Sequence, residues 1–425
     1  MLSSDVLEFV SAKNEAGSTP TMKIRYTFLF VPALILTGVL SAREPIKAPP
    51  SPPQKIIRAR DMGISFDGKP GKFNAITDVA GAEVGYTTLA SGEGKLQVGK
   101  GPVRTGVTAI MPRGRAAMND PVFAGYFSLN GNGEMTGAAW VEESGFLEGP
   151  IVLTNTHSVG VARDAVIAWR LAHGGPDAQG FAWSLPVVAE TWDGWLNDVD
   201  GFHVKPEHVA QAIESAHAGA IEEGSVGGGT GMICYEFKGG TGTASRVISV
   251  AAGGDRGSSD ARRSYTIGVL VQANCGRREQ LTIRGLNVGK AIPGSVYPKE
   301  TGSIIIVVAT DAPLLPHQLK RLARRASLGL ARTGSISGNG SGDLFLAFST
   351  ANSNAADSSA PTRSIETMPN DLMDPLFDAT VQATEEAIIN ALVDNHDMTG
   401  RDNHKVEALP HERLRELISR LKSAE

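Results

Sequence analysis

Apolar and polar positions along this chain follow two periods. Residues 84–89 (VGYTTL) lead out of a turn into an alternating strand, and residues 103–111 (VRTGVTAIM) form another, rich in Val, Thr and Ile. Residues 151–155 and 185–189 read as short buried strands. Residues 264–274 (SYTIGVLVQAN) and 302–310 (GSIIIVVAT) are continuous apolar runs of strand length, and 344–349 adds one more. Helical spacing shows over 160–172, where Val161, Ala165, Val166, Ala168 and Trp169 share a face, and again over 206–218. Residues 315–330 set Leu319, Leu322 and Ala323 opposite Lys320, Arg321, Arg324 and Arg325, a basic face expected to be solvated. Over 371–394, Phe377, Val381, Ile388, Ala391 and Leu392 fall on one stripe. Strands and helices are interleaved without a repeat of 20 to 50 residues, which predicts layered α/β structure with sheets buried between helices. Residues 351–363 are expected to form a loop and 419–425 a frayed tail.

The N-terminal stretch has a different character. Met22-Lys23-Ile24-Arg25 precedes an apolar run to Leu40 and the small pair Ser41-Ala42, the succession of a secretory signal, which makes Met22 a plausible start and export the expectation. The apolar run is interrupted by Pro32 and falls short of the roughly 20 residues a spanning helix needs. Five prolines between Pro45 and Pro53 make a semi-extended linker, so folded structure is expected from about Arg58 onward.

Composition narrows the function. With 41% hydrophobic and 20% charged residues over 425 positions the chain is ordinary globular protein. A net charge of -5 gives no footprint for nucleic acid. The 49 glycines gather in runs such as Gly227-Gly228-Gly229 and Gly131-Asn132-Gly133, which favours sites lined by backbone. Cys234 and Cys275 are too few for a disulfide framework; they can pair in an exported protein, but the simpler reading is two separate buried thiols. No cluster of His, Cys or carboxylates has metal-ligand spacing, so no metal or other cofactor is expected.

Common hydrolase motifs are missing: there is no G-x-S-x-G, no H-E-x-x-H and no P-loop. His157 sits where it can touch a pocket, although a hydrogen-bonded wall residue is the simpler reading. The informative text is Thr301-Gly302-Ser303 at the head of a β-branched strand. A serine there can attack the Gly302 carbonyl, pass through an ester by an N-to-O shift, and emerge with a free α-amine. That amine, with an unperturbed pKa of roughly 7.7 to 8.0, can take the proton of the hydroxyl beside it. The bland alternative is a turn with a capped strand end.

Several blocks occur together in one order: residues 58–61 (RARD), 127–134 (FSLNGNGE), 154–160 (TNTHSVG), 226–232 (VGGGTGM), 271–274 (VQAN), and 303–306 (SIII) through 309–313 (ATDAP). Over about residues 58–350 the chain resembles the DmpA-type self-processing aminopeptidases, the L-aminopeptidase/D-esterase-amidases and β-peptidyl aminopeptidases. The resemblance implies an α/β fold, the four-layer αββα sandwich of N-terminal-nucleophile hydrolases. It implies a large subunit over 58–302 and a small subunit over 303–425, cut between Gly302 and Ser303, behind a leader over 1–57. Ser303 matches the family's nucleophile, and Asn274 the asparagine of its oxyanion hole. Ser341 matches a serine that orients the nucleophile, and Asp343 a carboxylate that is Glu in some members. Glu190, read as lying just past the strand 185–189, matches the carboxylate that holds a substrate ammonium beside aromatic walls, here Trp192 and Trp195 where some members carry tyrosine.

The implied function is removal of the N-terminal residue from short peptides, amides or esters, with a lean toward β-peptidyl substrates. The L-aminopeptidase/D-esterase-amidase branch is the alternative. So is an acyltransferase of the ornithine acetyltransferase type, although that group presents threonine where this chain has Ser303. A processed but silent binding protein is a third possibility, disfavoured by Asn274, Ser341 and Asp343. The implied partners are a small peptide or amide and further copies of the processed pair, the family forming tetramers of it. The implied location is the periplasm or exterior, with no stable membrane contact once the signal is removed and no nucleic acid.

Overall fold

The computed structural model describes residues 57–174, 183–251, 262–296 and 302–422. Residues 1–56 of the expected leader and the last three residues of the expected tail lie outside the described residues. In chain order the strands are β1 (Glu83–Ser91), β2 (Val103–Met111), β3 (Val122–Ser128), β4 (Phe146–Leu147), β5 (Ile151–Asn155), β6 (Val187–Thr191), β7 (Ile233–Cys234), β8 (Phe237–Lys238), β9 (Gly240–Ala251), β10 (Arg262–Asn274), β11 (Ser303–Thr310), β12 (Asp343–Ser349), β13 (Met398–Thr399) and β14 (Lys405–Val406). The helices are α1 (Ala138–Ser144), α2 (Val159–Gly174), α3 (Pro206–Glu214), α4 (Val288–Ala291), α5 (Pro316–Arg332), α6 (Asp374–Val393) and α7 (His411–Lys422).

Two sheets stack face to face. One has the order β1-β2-β5-β6, the other β4-β3-β12-β11-β10-β9. The alternation of side chains along a strand builds the layers. On β11, Ile304, Ile306 and Val308 pack with Leu319, Leu322 and Ala326 of α5 and with Ile388 and Leu392 of α6. Ile305, Val307 and Ala309 face the other way, toward Ile110, Leu153, Val187 and Ala189 of the four-stranded sheet. The outer face of that sheet, with Val107, Ala109, Val152 and Val188, is covered by Ala162, Val166 and Trp169 of α2 and Val209 and Ile213 of α3. The architecture is therefore the expected αββα sandwich. β11 is apolar at nearly every position because it is covered on both faces, each large buried side chain contributing about 2 kcal/mol.

Several expectations need correction. Residues 185–189 start late: β6 runs from Val187 to Thr191, because parallel pairing with β5 continues through Thr154 opposite Glu190 and Asn155 opposite Thr191. Helix α3 ends at Glu214 rather than near 218, since His217 pairs in a bridge with Val84 on the edge of β1. Residues 370–372 form a separate 3-10 turn ahead of α6, which starts at Asp374 with a proline in its first turn. Residues 411–422 are helical, so most of the expected tail is ordered as α7.

The basic face of α5 is not simply solvated. Arg324 lies over the ring of Phe127, Arg325 over Phe377, and Lys320 pairs with Glu142 at 2.5 Å. α6 is buried almost all round rather than along one stripe, and carries Glu386 inward. Burial pushes that carboxyl up, but Arg60 and Arg246, each at 2.7 Å, outweigh it and hold it below its ordinary value. Cys234 and Cys275 are buried free thiols, yet not separate: their sulfurs touch at 3.4 Å.

Candidate active site

The apolar run of β11 begins at Ser303, whose side chain is buried at the strand's first position. By strand parity it shares the inter-sheet face with Ile305. Antiparallel pairing sets Asn274, the last residue of β10, directly opposite Ser303. Gly302 approaches so closely that a Cβ there would meet the Asn274 carbonyl oxygen at 2.2 Å and Cys275 Cα at 2.8 Å. Glycine is required at this position by backbone contact, which adds to the open approach expected from sequence.

The turn ahead of β12 supplies the other groups. Gly342 N–H donates to Ser303 Oγ at 3.0 Å. Asp343 Oδ1 accepts from Ser341 Oγ at 2.6 Å and from Ile304 N–H at 3.2 Å. Asp343 thus reaches the backbone of the residue next to Ser303, and Ser341 is attached to Asp343. Burial raises the Asp343 carboxyl, and bonds from Ser341, Ser337, Ile304 N–H and Asn130 oppose the rise.

Asn274 is held at both ends of its carboxamide. Oδ1 accepts from Ile233 N–H at 2.7 Å and Nδ2 donates to the Trp192 carbonyl at 2.9 Å. An amide nitrogen carries two hydrogens, so the second remains for an oxyanion. Next to Trp192 in sequence, the fully buried Asp193, its carboxyl pushed by burial to about 7, accepts from Asn197 Nδ2 at 3.0 Å.

Glu190 lies inside β6 and only 4% of it is exposed, which rules out a solvated loop carboxylate. Thr156 Oγ1 donates to Oε2 at 2.5 Å and Glu134 N–H to Oε1 at 3.1 Å. Burial raises its pKa, and these two bonds work against the rise. Trp192 is half-buried beside it in sequence, while Trp195 stacks on His404 with ring centroids 4.1 Å apart. His157 pairs with Asp200 Oδ1 at 3.1 Å and stacks on Phe202, as a wall residue would.

Sequence reasoning named no role for Asn130, Thr156 or Gly342. Asn130 Oδ1 accepts from Asp343 N–H at 2.6 Å. The Asn-Gly-Asn-Gly-Glu block at 130–134 was a visible signal, whereas a backbone donor such as Gly342 leaves none in side-chain chemistry.

Among the described residues no group of three or more His, Cys, Asp or Glu could hold a metal ion. The site brings together the Ser303 hydroxyl, a backbone donor on it, the Asn274 carboxamide opposite it, and the Glu190 carboxylate across a glycine-lined loop. That set suits attack on a carbonyl whose substrate carries a nearby positive charge.

Known proteins share this arrangement's sequence and fold. The chain is 50% identical over 406 residues to the β-peptidyl aminopeptidase BapA of Sphingosinicella microcystinivorans, covering 92% of this chain and 96% of that protein. Its structure superposes on the L-aminopeptidase D-Ala-esterase/amidase of Ochrobactrum anthropi with a TM-score of 0.79 at 47% identity, covering 86% of this chain and 99% of the other. That enzyme is described as a prototype of the serine aminopeptidases with a variant of the Ntn hydrolase fold. A Burkholderia sp. β-aminopeptidase matches with a TM-score of 0.76 at 46% identity over 86% of this chain and 99% of its own. The model of Peptidase family S58 matches residues 74–406, and the chain belongs to that family of self-processing serine aminopeptidases.

Proposed function

We propose that this chain cuts its own Gly302–Ser303 bond and that the resulting pair, 58–302 and 303–425, removes N-terminal β-amino acyl residues from short peptides and amides. The observation that carries the reading is the convergence on Ser303 of Gly342 N–H and the opposed Asn274. In the precursor, Ser303 Oγ attacks the Gly302 carbonyl carbon while Asn274 Nδ2 donates to the oxygen that gains charge. The C–N bond then breaks, leaving an ester, and water hydrolyses it to the Gly302 carboxylate and the free Ser303 amine.

In turnover the amine accepts the proton of Ser303 Oγ as that oxygen attacks the substrate carbonyl. Ser341, bonded to Asp343, is assigned by the family resemblance to orient the new amine. The substrate's leaving amine takes the proton, and water releases the acyl group by the reverse path. Glu190, ionised, pairs with the substrate ammonium, and the family resemblance assigns Trp192 and Trp195 to the wall of that pocket. The β-amino acyl preference is supported by the likeness to the β-peptidyl aminopeptidase of Sphingosinicella microcystinivorans at 50% identity and to the Burkholderia sp. β-aminopeptidase at 46%.

Export is supported by the basic, apolar and small-residue succession over 22–42, and cell fractionation tests it. Assembly of several processed pairs is supported by the family resemblance and is tested by light scattering. For the catalytic reading, a panel of β-alanyl, L-alanyl and D-alanyl amides is offered to the matured protein. Fastest release from the β-alanyl amide is expected; turnover confined to the α-alanyl amides would contradict the substrate assignment.

A further inference from the structure

The loop of residues 130–134 is tied to the nucleophile's turn at one end and to the ammonium pocket at the other. Leaving β3, Leu129 N–H donates to Asp343 O at 3.0 Å, and Asn130 Nδ2 donates to Ser337 O at 3.2 Å. Asn132 Nδ2 donates to Gly340 O at 2.7 Å. Past Gly133, Glu134 N–H donates to Glu190 Oε1 at 3.1 Å, and Thr136 N–H to Val188 O at 2.9 Å. Gly133 stands where the two attachments meet. A Cβ on it would lie 3.1 Å from Gly342 Cα and 3.3 Å from Glu190 Oε1. Gly342 is the residue whose N–H reaches Ser303 Oγ.

From this geometry we propose that the loop is a spacer and Gly133 a specificity-determining residue. Resting on the aminopeptidase reading above, the spacer fixes the separation between the attacking hydroxyl and the carboxylate that anchors the substrate amine. That separation selects the number of carbons between amine and scissile carbonyl. A β-amino acyl group has one more than an α-amino acyl group, a reach longer by up to about 1.5 Å, one carbon–carbon bond. The spacer can discriminate at this scale because it is bonded at both ends and has no side chain at Gly133, where the two attachments meet. The φ of Gly133 lies outside the left-handed region, so alanine there adds a methyl without backbone strain. That methyl presses Gly342 and Glu190 apart by a few tenths of an ångström and lengthens the gauge.

The test compares kcat/KM for β-alanyl and L-alanyl p-nitroanilides on matured wild type, Gly133→Ala and Gly131→Ala. An added Cβ at Gly131 meets nothing within 4 Å. In Gly133→Ala the β-to-α ratio is expected to rise about tenfold, the scale of a single methylene, and in Gly131→Ala to stay at the wild-type ratio. Equal loss on both substrates, a falling ratio, or an equal shift in Gly131→Ala overturns the proposal. If Gly133→Ala does not mature, Asn132→Ala carries the test by detaching the spacer from Gly340: the ratio then moves toward one, and an unmoved ratio overturns the proposal. Wild type that releases p-nitroaniline from neither substrate would instead overturn the aminopeptidase reading, and the spacer with it.

Discussion

Asn274 stands directly across the β10–β11 pair from Ser303, its carboxamide fixed between Ile233 N–H and the Trp192 carbonyl. A donor so held needs no reorganisation when charge develops on a carbonyl oxygen beside Ser303. Asn274→Ala should therefore lower kcat of the matured enzyme by about a hundredfold or more, with a smaller change in KM. It also leaves Ile233 N–H unpaired, at about 1 to 3 kcal/mol of stability. Steady-state kinetics and urea unfolding separate the two effects.

Gly302 has a different part. Because a Cβ there would run into the Asn274–Cys275 backbone, Gly302→Ala should displace the scissile carbonyl and slow maturation. The small chain that does form begins at the same Ser303, so kcat per matured molecule should match wild type. A time course on denaturing gels, normalised against activity, checks this.

Glu190 must be ionised to hold an ammonium, and burial already raises its pKa. Thr156→Val removes the hydroxyl that donates to Oε2 and opposes that rise. The acid limb of kcat/KM should move to higher pH in the variant, while the limb at alkaline pH stays. A pH–rate profile for one aminoacyl anilide reads the shift.

Lys238 gives a stability prediction away from the site. Fully buried, it is pushed by burial to about 7 from an ordinary value of 10.5, with Nζ donating to Met232 O and Gly239 O. Between those two pH values the unfolded chain binds the proton that the folded chain has released. This group's contribution to stability therefore rises with pH from about 7 to 10.5. Lys238→Met should flatten that slope in urea titrations across the window, whatever it does to stability at one pH.

Much of this was readable from residues alone, and for physical reasons. β11 announced itself because both its faces are covered, so no polar position interrupts it. β9 did not: its text GTGTASRVISVA mixes glycine and threonine with the apolar positions, yet it is buried between β10 and α6, where Gly242 lets the helix backbone come close. Glu190 was read as beyond its strand because a buried carboxylate breaks the apolar run. It lies inside β6, and Thr156 and Glu134 N–H offset the cost of burying it. Ser303 was a candidate from its place at the head of an apolar strand, whereas Asn274, Ser341 and Asp343 were singled out by the family resemblance. The donors that position them are backbone groups of Gly342, Ile233 and Ile304, whose part follows from the fold.

In the function proposed, one hydroxyl performs both the cleavage of the precursor and the attack on substrate. N-terminal sequencing and activity of wild type and Ser303→Ala test it most directly. The expected results are a wild-type small chain beginning Ser-Ile-Ile-Ile-Val, and a Ser303→Ala protein that folds, stays uncut and releases no amine. A Ser303→Ala protein that matured into two chains and hydrolysed a β-alanyl amide at a comparable rate would contradict the proposed function.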